Sequence, residues 1–187
     1  MKVLGITGSL RPGSHNRRLL SAAGELFPND IEFEIWDGLK AVPPYDEDDD
    51  VEPAPAAVAR LRAAIAGADA ILFATPEYNS SIPGVLKNAI DWASRPRATT
   101  PMQGKPAAVI GATTGSFGAV WAQAELRKVL ASTGARVVDL DLPLSKAHEA
   151  FDDDGALIST DHDDRMLDVL AALASEIATN RDLRVVA

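Results

Sequence analysis

Cysteine is absent from the 187-residue sequence, and long apolar runs are missing as well. Without cysteine there is no disulfide framework, thiol nucleophile, Cys-based metal site or CxxC redox motif, so a redox function would require a bound electron carrier. The first apolar run ends at Gly8-Ser9, well short of a signal-peptide core, and no stretch approaches the roughly 20 apolar residues that span a bilayer. We therefore expect a soluble cytoplasmic protein with no membrane partner.

Basic residues are few relative to acidic ones. Lys and Arg number 18 against 27 Asp and Glu, a formal net charge of −9. This is the wrong sign for neutralising nucleic-acid phosphates, so we expect no nucleic-acid partner. His15, His148 and His162 lack metal-ligand spacing, and the acidic runs 47–50 and 152–154 are typical of solvated loops, so we expect no metal site.

Strand-like and helix-like segments alternate along the whole chain. The patterns predict strands at 3–7, 31–35, 69–74, 105–111 and 136–142, and helices from 14 onward and at 54–66, 83–94, 119–132 and 160–180. The third and fourth strands show no polar alternation, which is typical of strands covered on both faces. Together these segments predict an α/β three-layer sandwich: a five-stranded parallel sheet with helices on both faces, in one domain over 1–187.

The commonest doubly wound arrangement of five strands is the flavodoxin-like order 2-1-3-4-5. Ligands bind such sheets beyond the carboxyl ends of the strands, at the switch point between the first and third. The segments there are loop 1 (8–16), loop 2 (75–83) and loop 3 (112–118), all rich in Gly, Ser, Thr, Asn or Pro. Topology and composition therefore predict one crevice formed by these three loops.

Loop 1 leads directly into a predicted helix, whose free backbone N–H groups and dipole favour a phosphate. Ser9, Ser14 and Asn16 add donors, and the Arg11 guanidinium can grip a phosphate with two hydrogen bonds. The loop is neither a GxGxxG motif nor a Walker A motif. The alternative interpretation is that Ser14 or Asn16 only caps the helix.

Loop 2 is stiffened by Pro76 and Pro83, which restrict its backbone. Tyr78 can pack against a planar ring, while Asn79 and backbone N–H groups address the polar edge of that ring. The alternative is a structural turn in which Ser81 caps the next helix. Loop 2 therefore predicts either a wall for a flat ligand or a simple connection.

Loop 3 offers hydroxyl and backbone N–H groups beside loop 2, at Thr113, Thr114, Gly115 and Ser116. It lacks the GxSxG elbow of a hydrolase, which argues against a serine nucleophile. Loop 3 is therefore expected to bind a ligand rather than attack one.

The sequence GSLRPGSHN at 8–16, joined with PEYNSSIPGVLKNAIDW at 76–92, resembles the NADPH-dependent FMN reductase family, which includes bacterial quinone and chromate reductases. The resemblance covers essentially the whole domain. It implies an FMN site in which loop 1 holds the phosphate, 76–79 lies along the isoalloxazine ring and 113–116 closes over the other polar edge. The implied cofactor-binding residues are Ser9, Arg11, Ser14, Asn16, Pro76, Glu77, Tyr78, Asn79, Thr113, Thr114, Gly115 and Ser116.

The same resemblance implies an NAD(P)H-dependent FMN reductase or quinone reductase. Hydride would pass from NADPH or NADH to flavin N5, and then to a quinone, free flavin or similar acceptor by a ping-pong mechanism, with no catalytic side chain. It also implies a homodimer or homotetramer.

One departure affects acceptor choice: many relatives continue loop 3 as Gly-Gly-x-Arg, whereas here Trp121 stands in place of that Arg.

Two other functions fit the same fold. One is a non-enzymatic electron carrier of the flavodoxin type, whose acidic surface would dock a basic redox partner. The other is a protein that binds a phosphate-bearing ligand without flavin. Uptake of FMN would exclude the protein that binds a phosphate-bearing ligand without flavin. Rapid reduction of the bound flavin by a nicotinamide would favour the reductase over the electron carrier.

Overall fold

Parallel strands and helices alternate in the computed structural model, which describes residues 1–186, with side chains described to residue 180. The strands are β1 (Lys2–Thr7), β2 (Glu32–Trp36), β3 (Ala70–Thr75), β4 (Pro106–Ala112), β5 (Arg136–Val137) and β6 (Pro143–Leu144). The helices are α1 (His15–Glu25), α2 (Ala56–Gly67), α3 (Gly84–Ala93), α4 (Val120–Ser132) and α5 (Thr160–Val186).

All strand pairs are parallel, and the order is β2-β1-β3-β4-β5, which confirms the predicted flavodoxin-like topology. Val3 of β1 aligns with Phe33 of β2 and with Ala70 of β3. The carboxyl ends of β1, β3 and β4 therefore lie side by side, and loops 1, 2 and 3 leave the sheet at one edge.

The prediction of one continuous strand over 136–142 is wrong. The chain pairs with β4 twice, at Val137 opposite Ala107 and again at Pro143 opposite Gly111. Between these contacts β4 advances four positions while its partner advances six, so two extra residues leave the ladder as a bulge. This bulge brings the backbone of Leu142 against α4, close to loop 3.

Two apolar layers cover the central strands. Leu72 faces the layer that contains Leu19 of α1 and Leu173 of α5. Its neighbour Phe73 faces the opposite layer, which contains Leu61 of α2 and other residues of α3 and α4. Every residue of β3 and β4 is buried, as their unalternating sequences predict.

The predicted polar loop after β2 contains two short 3-10 helices, Leu39–Ala41 and Glu47–Asp49. It is fastened to α3, because Nε1 of Trp92 donates to the Pro43 carbonyl at 2.9 Å. The run 47–50 is not wholly solvated: Asp50 is only 12% exposed and pairs with Arg62 at 2.7 Å.

Across the described residues, no helix is both long enough and apolar enough to cross a bilayer.

Candidate functional site

The three loops meet in one pocket of about 140 Å³ at the carboxyl ends of β1, β3 and β4. Most of the predicted site residues line it: Ser9, Arg11, Ser14, Asn16, Pro76, Glu77, Tyr78, Thr113 and Thr114. Asn79, Gly115 and Ser116 lie outside its lining, and two residues that the sequence did not single out for it, His15 and Ala112, lie within. The crevice predicted from topology is therefore confirmed.

Ser14 begins the helix that leaves loop 1. Its side-chain oxygen accepts a hydrogen bond from the Arg17 backbone N–H at 3.3 Å, as the helix-capping interpretation predicted. A hydroxyl that accepts one bond still has its hydrogen to donate. The backbone N–H groups of His15 and Asn16 make no hydrogen bond within the described part of the chain. The start of α1 thus offers several donors to an anion.

Asn16 is nearly fully buried and joins loop 1 to the end of β4. Its Nδ2 donates to the Ala112 carbonyl at 2.9 Å, and its Oδ1 accepts from the Ala112 N–H, also at 2.9 Å. The capping alternative for Asn16 is wrong, since Ser14 is the cap. Toward a phosphate, Asn16 retains its backbone N–H and the second hydrogen of Nδ2.

Arg11 and Ser9 form the exposed part of loop 1. The Ser9 N–H donates to Oγ1 of Thr7 at 3.3 Å, and the Arg11 N–H donates to Oγ of Ser9 at 3.4 Å. The exposed Arg11 guanidinium makes no ion pair among the residues whose side chains are described. An unpaired guanidinium next to free helix donors is well suited to a dianion.

Loop 2 contains a tight turn at 78–81. The N–H of Tyr78 donates to the Ser81 carbonyl at 3.0 Å, and the N–H of Ser81 donates back at 3.1 Å. Asn79 and Ser80 both have positive φ, 54° and 59°, as a type I′ turn requires. The structural turn is confirmed, but Ser81 does not cap α3, because Pro83 precedes that helix without a side-chain cap. The turn holds Tyr78 on the pocket lining with 51% of the residue exposed.

Glu77 links loop 2 to the helix that follows loop 3. Its Oε2 accepts hydrogen bonds from the N–H groups of Trp121 at 3.1 Å and Ala122 at 3.0 Å. Ala119, which precedes α4, has φ of 59° and no capping side chain. The Glu77 carboxylate therefore caps α4 from another loop, where it complements the helix dipole.

Loop 3 is held by backbone bonds and by one buried amide. The carbonyls of Thr113 and Gly115 accept from Ala147 and Lys146, each at 3.0 Å. Gln123, on α4, donates to the Gly118 carbonyl at 2.9 Å and accepts from the Leu142 N–H of the bulge at 3.1 Å. The sign of this role in the sequence is that Gln123 falls on a face of α4 that is otherwise apolar. Gln123 was not among the predicted site residues.

The imidazole of His15 lies on the pocket lining in a partly desolvated position. Burial lowers the pKa of His15 below its usual 6.5, and the nearby Arg18, Arg11 and His148 lower it further. Its Nδ1 is buried and has no hydrogen-bond partner among the described residues. The sequence predicted a surface or capping residue, and the structure places a partly exposed imidazole beside the free donors at the start of α1.

Among the residues whose side chains are described, no cluster of three or more His, Asp or Glu could hold an ion. The chemistry available at the pocket is that of neutral donors, the Arg11 guanidinium, the His15 imidazole, the Glu77 carboxylate that caps α4 and the aromatic ring of Tyr78.

Comparison with known proteins gives consistent matches. A family model described as NADPH-dependent FMN reductase matches residues 1–149. An NAD(P)H-dependent FMN reductase from Pseudomonas aeruginosa is 48% identical over 159 residues, 84% of this chain and 85% of that protein. A 2-hydroxy-1,4-benzoquinone reductase from a Burkholderia species is 38% identical over 94% of this chain and 87% of its own length. The solved flavoenzyme NAD(P)H:(acceptor) oxidoreductase from Paracoccus denitrificans superposes with a TM-score of 0.84 at 35% identity, covering 96% of this chain and 98% of that one.

Proposed function

The chain belongs to the NADPH-dependent FMN reductase family, and from this premise we propose that its three-loop pocket binds FMN and reduces it with NADPH or NADH. A quinone or a similar small molecule would be the final electron acceptor. The observation that carries this proposal is the meeting of unpaired anion donors from loop 1 with the half-exposed ring of Tyr78 in one pocket. FMN carries a phosphate and a flat ring, so a site for FMN needs those two surfaces side by side.

The residues present fit the phosphate end of FMN. The free N–H groups at the start of α1 and the unpaired Arg11 supply donors and positive charge, and the hydroxyls of Ser9 and Ser14 add two further donors. Hydrogen bonds to an ionised group are roughly twice as strong as neutral ones. At this edge of an otherwise acidic protein, the local positive charge would attract a phosphate dianion.

The residues of loops 2 and 3 fit the ring. The type I′ turn fixes Tyr78, whose ring can pack against or beside a flat ligand. In loop 3, the N–H groups of Thr114 and Ser116 make no hydrogen bond within the described residues. Donors positioned where negative charge develops stabilise that charge without reorganisation. We therefore assign loop 3 to the polar edge of the ring, although Asn79, Gly115 and Ser116 do not line the pocket itself.

Bound FMN would supply hydride acceptance at N5 and release of electrons to the acceptor, chemistry that no side chain of this protein provides. The chain contributes binding at loop 1, orientation at loop 2 and charge stabilisation at loop 3. Since one pocket would serve donor and acceptor in turn, a ping-pong mechanism follows. No residue of the pocket is required to transfer a proton.

An aromatic pair next to the site favours a planar uncharged acceptor. Trp121 is 48% exposed and packs against Phe117 with ring centroids 4.9 Å apart. Its backbone is tied to loop 2 through Glu77. Apolar aromatic surface attracts flat organic molecules and carries no positive charge to attract an anion. A quinone suits this surface better than a charged oxidant.

Equilibrium dialysis and initial-rate kinetics test the proposal. The protein should take up FMN stoichiometrically at micromolar concentrations, and NADPH should bleach the bound flavin under anaerobic conditions until benzoquinone restores its colour. Plots of reciprocal rate against reciprocal substrate should be parallel for both substrates. Tyr78→Ala should slow flavin reduction more than it weakens FMN binding, whereas Tyr78→Phe keeps the ring and should change little. Failure to take up FMN would reject the proposal, and intersecting lines would reject the ping-pong order.

Three further predictions from the sequence stand beside this proposal: a single FMN-binding domain over 1–187, a homodimer or homotetramer, and a cytoplasmic location. Light scattering coupled to size-exclusion chromatography tests the oligomer. A monomeric mass at micromolar concentration would reject it.

A further inference from the structure

The side chain of Gln123 is polar, yet the residue is completely shielded from solvent. Its Nε2 donates to the Gly118 carbonyl at 2.9 Å, and its Oε1 accepts from the Leu142 N–H at 3.1 Å. Gly111 leaves the room that this amide occupies, since a Cβ atom there would lie 2.9 Å from Nε2. One amide therefore joins the end of loop 3 to the bulge beside β4, directly over the end of that strand.

The turn that Gln123 holds is strained. Gly118 and Ala119 both have positive φ, 61° and 59°, and the left-handed region is unfavourable for alanine. The backbone N–H of Gln123 donates to the Ala119 carbonyl at 3.0 Å, in addition to the side-chain bond to Gly118. A Cβ atom at Gly118 would lie 2.3 Å from the backbone of Pro143, so the turn packs directly on β6. Strained backbone of this kind persists only where the surrounding contacts over-determine it, and it is frequent at functional sites.

Loop 3 is attached at both ends to the chain around β6. Two carbonyls of the loop accept from the N–H groups of Lys146 and Ala147, just beyond β6. Gln123 fastens the other end of the loop to the bulge that precedes β6. The N–H groups of Thr114 and Ser116 lie between these attachments and make no hydrogen bond within the described residues. Their orientation therefore depends on how firmly both ends are held.

We propose that Gln123 is a positioning residue for loop 3, and that it holds the N–H groups of Thr114 and Ser116 where they stabilise the negative charge of reduced FMN. This assignment rests on the proposed function, because it takes loop 3 to lie at the polar edge of the flavin ring. Donors act best on a developing charge when they are oriented before that charge forms. Loss of the Gln123 amide therefore weakens the binding of reduced FMN more than that of oxidised FMN, which lowers the midpoint potential of the bound flavin.

Potentiometric titration of the FMN-loaded protein tests the positioning role in Gln123→Met, a side chain of similar length without the two hydrogen bonds. Thr100→Val is the matched control, because the buried Thr100 hydroxyl also donates to one carbonyl, of Ala93, and accepts from one N–H, of Met102. Thr100 does not line the three-loop pocket. Both variants should unfold at lower urea concentrations than the original protein. Only Gln123→Met should lower the midpoint potential, by about 30 mV, which corresponds to a tenfold loss of preference for reduced FMN in a two-electron couple.

Hydrogen exchange in the flavin-free protein tests whether Gln123 fixes loop 3. The amides of Lys146 and Ala147, which bond to the loop, should exchange roughly tenfold faster in Gln123→Met than in Thr100→Val. If Gln123→Met does not fold, Gln123→Asn takes its place in both measurements. Its amide is one methylene too short to reach both partners, so the expected changes have the same direction.

Equal midpoint potentials in the Gln123 variant and in Thr100→Val would overturn the assignment, even if NADPH reduces the flavin. Equal exchange of the two reporter amides would also overturn it, because loop 3 would then be held without Gln123. If the protein takes up no FMN, the proposed function fails and the role toward reduced FMN fails with it. Faster exchange in the Gln123 variant would then still show that Gln123 fixes the loop.

Discussion

The side chain of Asn16 and the backbone of Ala112 exchange two hydrogen bonds, each 2.9 Å long, across 96 positions of sequence. The bonds join the first turn of α1 to the last residue of β4. They hold loop 1 and loop 3 in fixed register over the sheet. The shape of the pocket therefore depends on Asn16, whose side-chain amide is largely engaged in hydrogen bonds within the protein.

Replacing Asn16 with Ala should destabilise the protein by about 2 kcal/mol, because it leaves a buried N–H and a buried carbonyl of Ala112 without partners. FMN affinity should fall with it. Asn88→Ala is a matched control, since the Asn88 amide makes the same kind of pair with Tyr45 and Pro43 away from the pocket. It should lose stability and keep FMN affinity. Unfolding in urea and FMN titration measure the two effects, and lost affinity with full stability at Asn16 would make it a direct ligand instead.

Arg11→Ala should weaken FMN by roughly 1.5–3 kcal/mol if the guanidinium contacts the phosphate, and should leave riboflavin affinity unchanged. Because Arg11 is exposed and unpaired within the described residues, the free energy of unfolding should stay within about 0.5 kcal/mol of the original. Fluorescence titration with both flavins makes the comparison. Equal losses for FMN and riboflavin would place Arg11 away from the phosphate.

Glu77→Ala should destabilise the protein by about 1 kcal/mol, the usual cost of losing a helix cap. Glu77→Gln keeps an accepting oxygen for the N–H groups of Trp121 and Ala122 and should lose less, mainly the interaction of the charge with the helix dipole. Glu125→Ala, which removes an exposed carboxylate from α4, is the control. Thermal unfolding ranks the three variants, and an unchanged melting temperature in Glu77→Ala would show that the cap does not stabilise the fold.

The lowered pKa of His15 makes stability depend on pH. Between the folded pKa and the unfolded value of 6.5, the unfolded chain binds more protons, so stability falls as pH decreases through that window. Above the window His15 contributes no pH dependence. As the pH falls from about 7 to about 5, the free energy of unfolding should therefore decrease less in His15→Gln than in the original protein. Urea unfolding at several pH values measures this, and parallel profiles would show that His15 is not desolvated.

Strand order and the crevice could be predicted from the sequence because each depends on local pattern. Continuous apolar runs mark β3 and β4 as buried, and the fold places their loops together. Ser14 could be identified as a cap because its partner is three residues away.

The features that sequence reasoning missed depend on distant partners. Glu77 caps a helix 44 residues later, and Asn16 pairs 96 residues away, so neither role leaves a local pattern. The split of the fifth strand likewise depends on the register against β4. His15 is desolvated by tertiary packing, which composition does not reveal.

Anaerobic single-turnover reduction of the FMN-loaded protein by stereospecifically deuterated NADPH tests the central claim most directly. If the three-loop pocket positions the nicotinamide against the flavin, reduction should be much faster than that of free FMN, since orientation supplies much of the acceleration. Deuterium at one face of the nicotinamide should give a primary isotope effect and transfer, and deuterium at the other face should give neither. Reduction no faster than that of free FMN would contradict the reductase and leave a flavodoxin-type electron carrier as the better description.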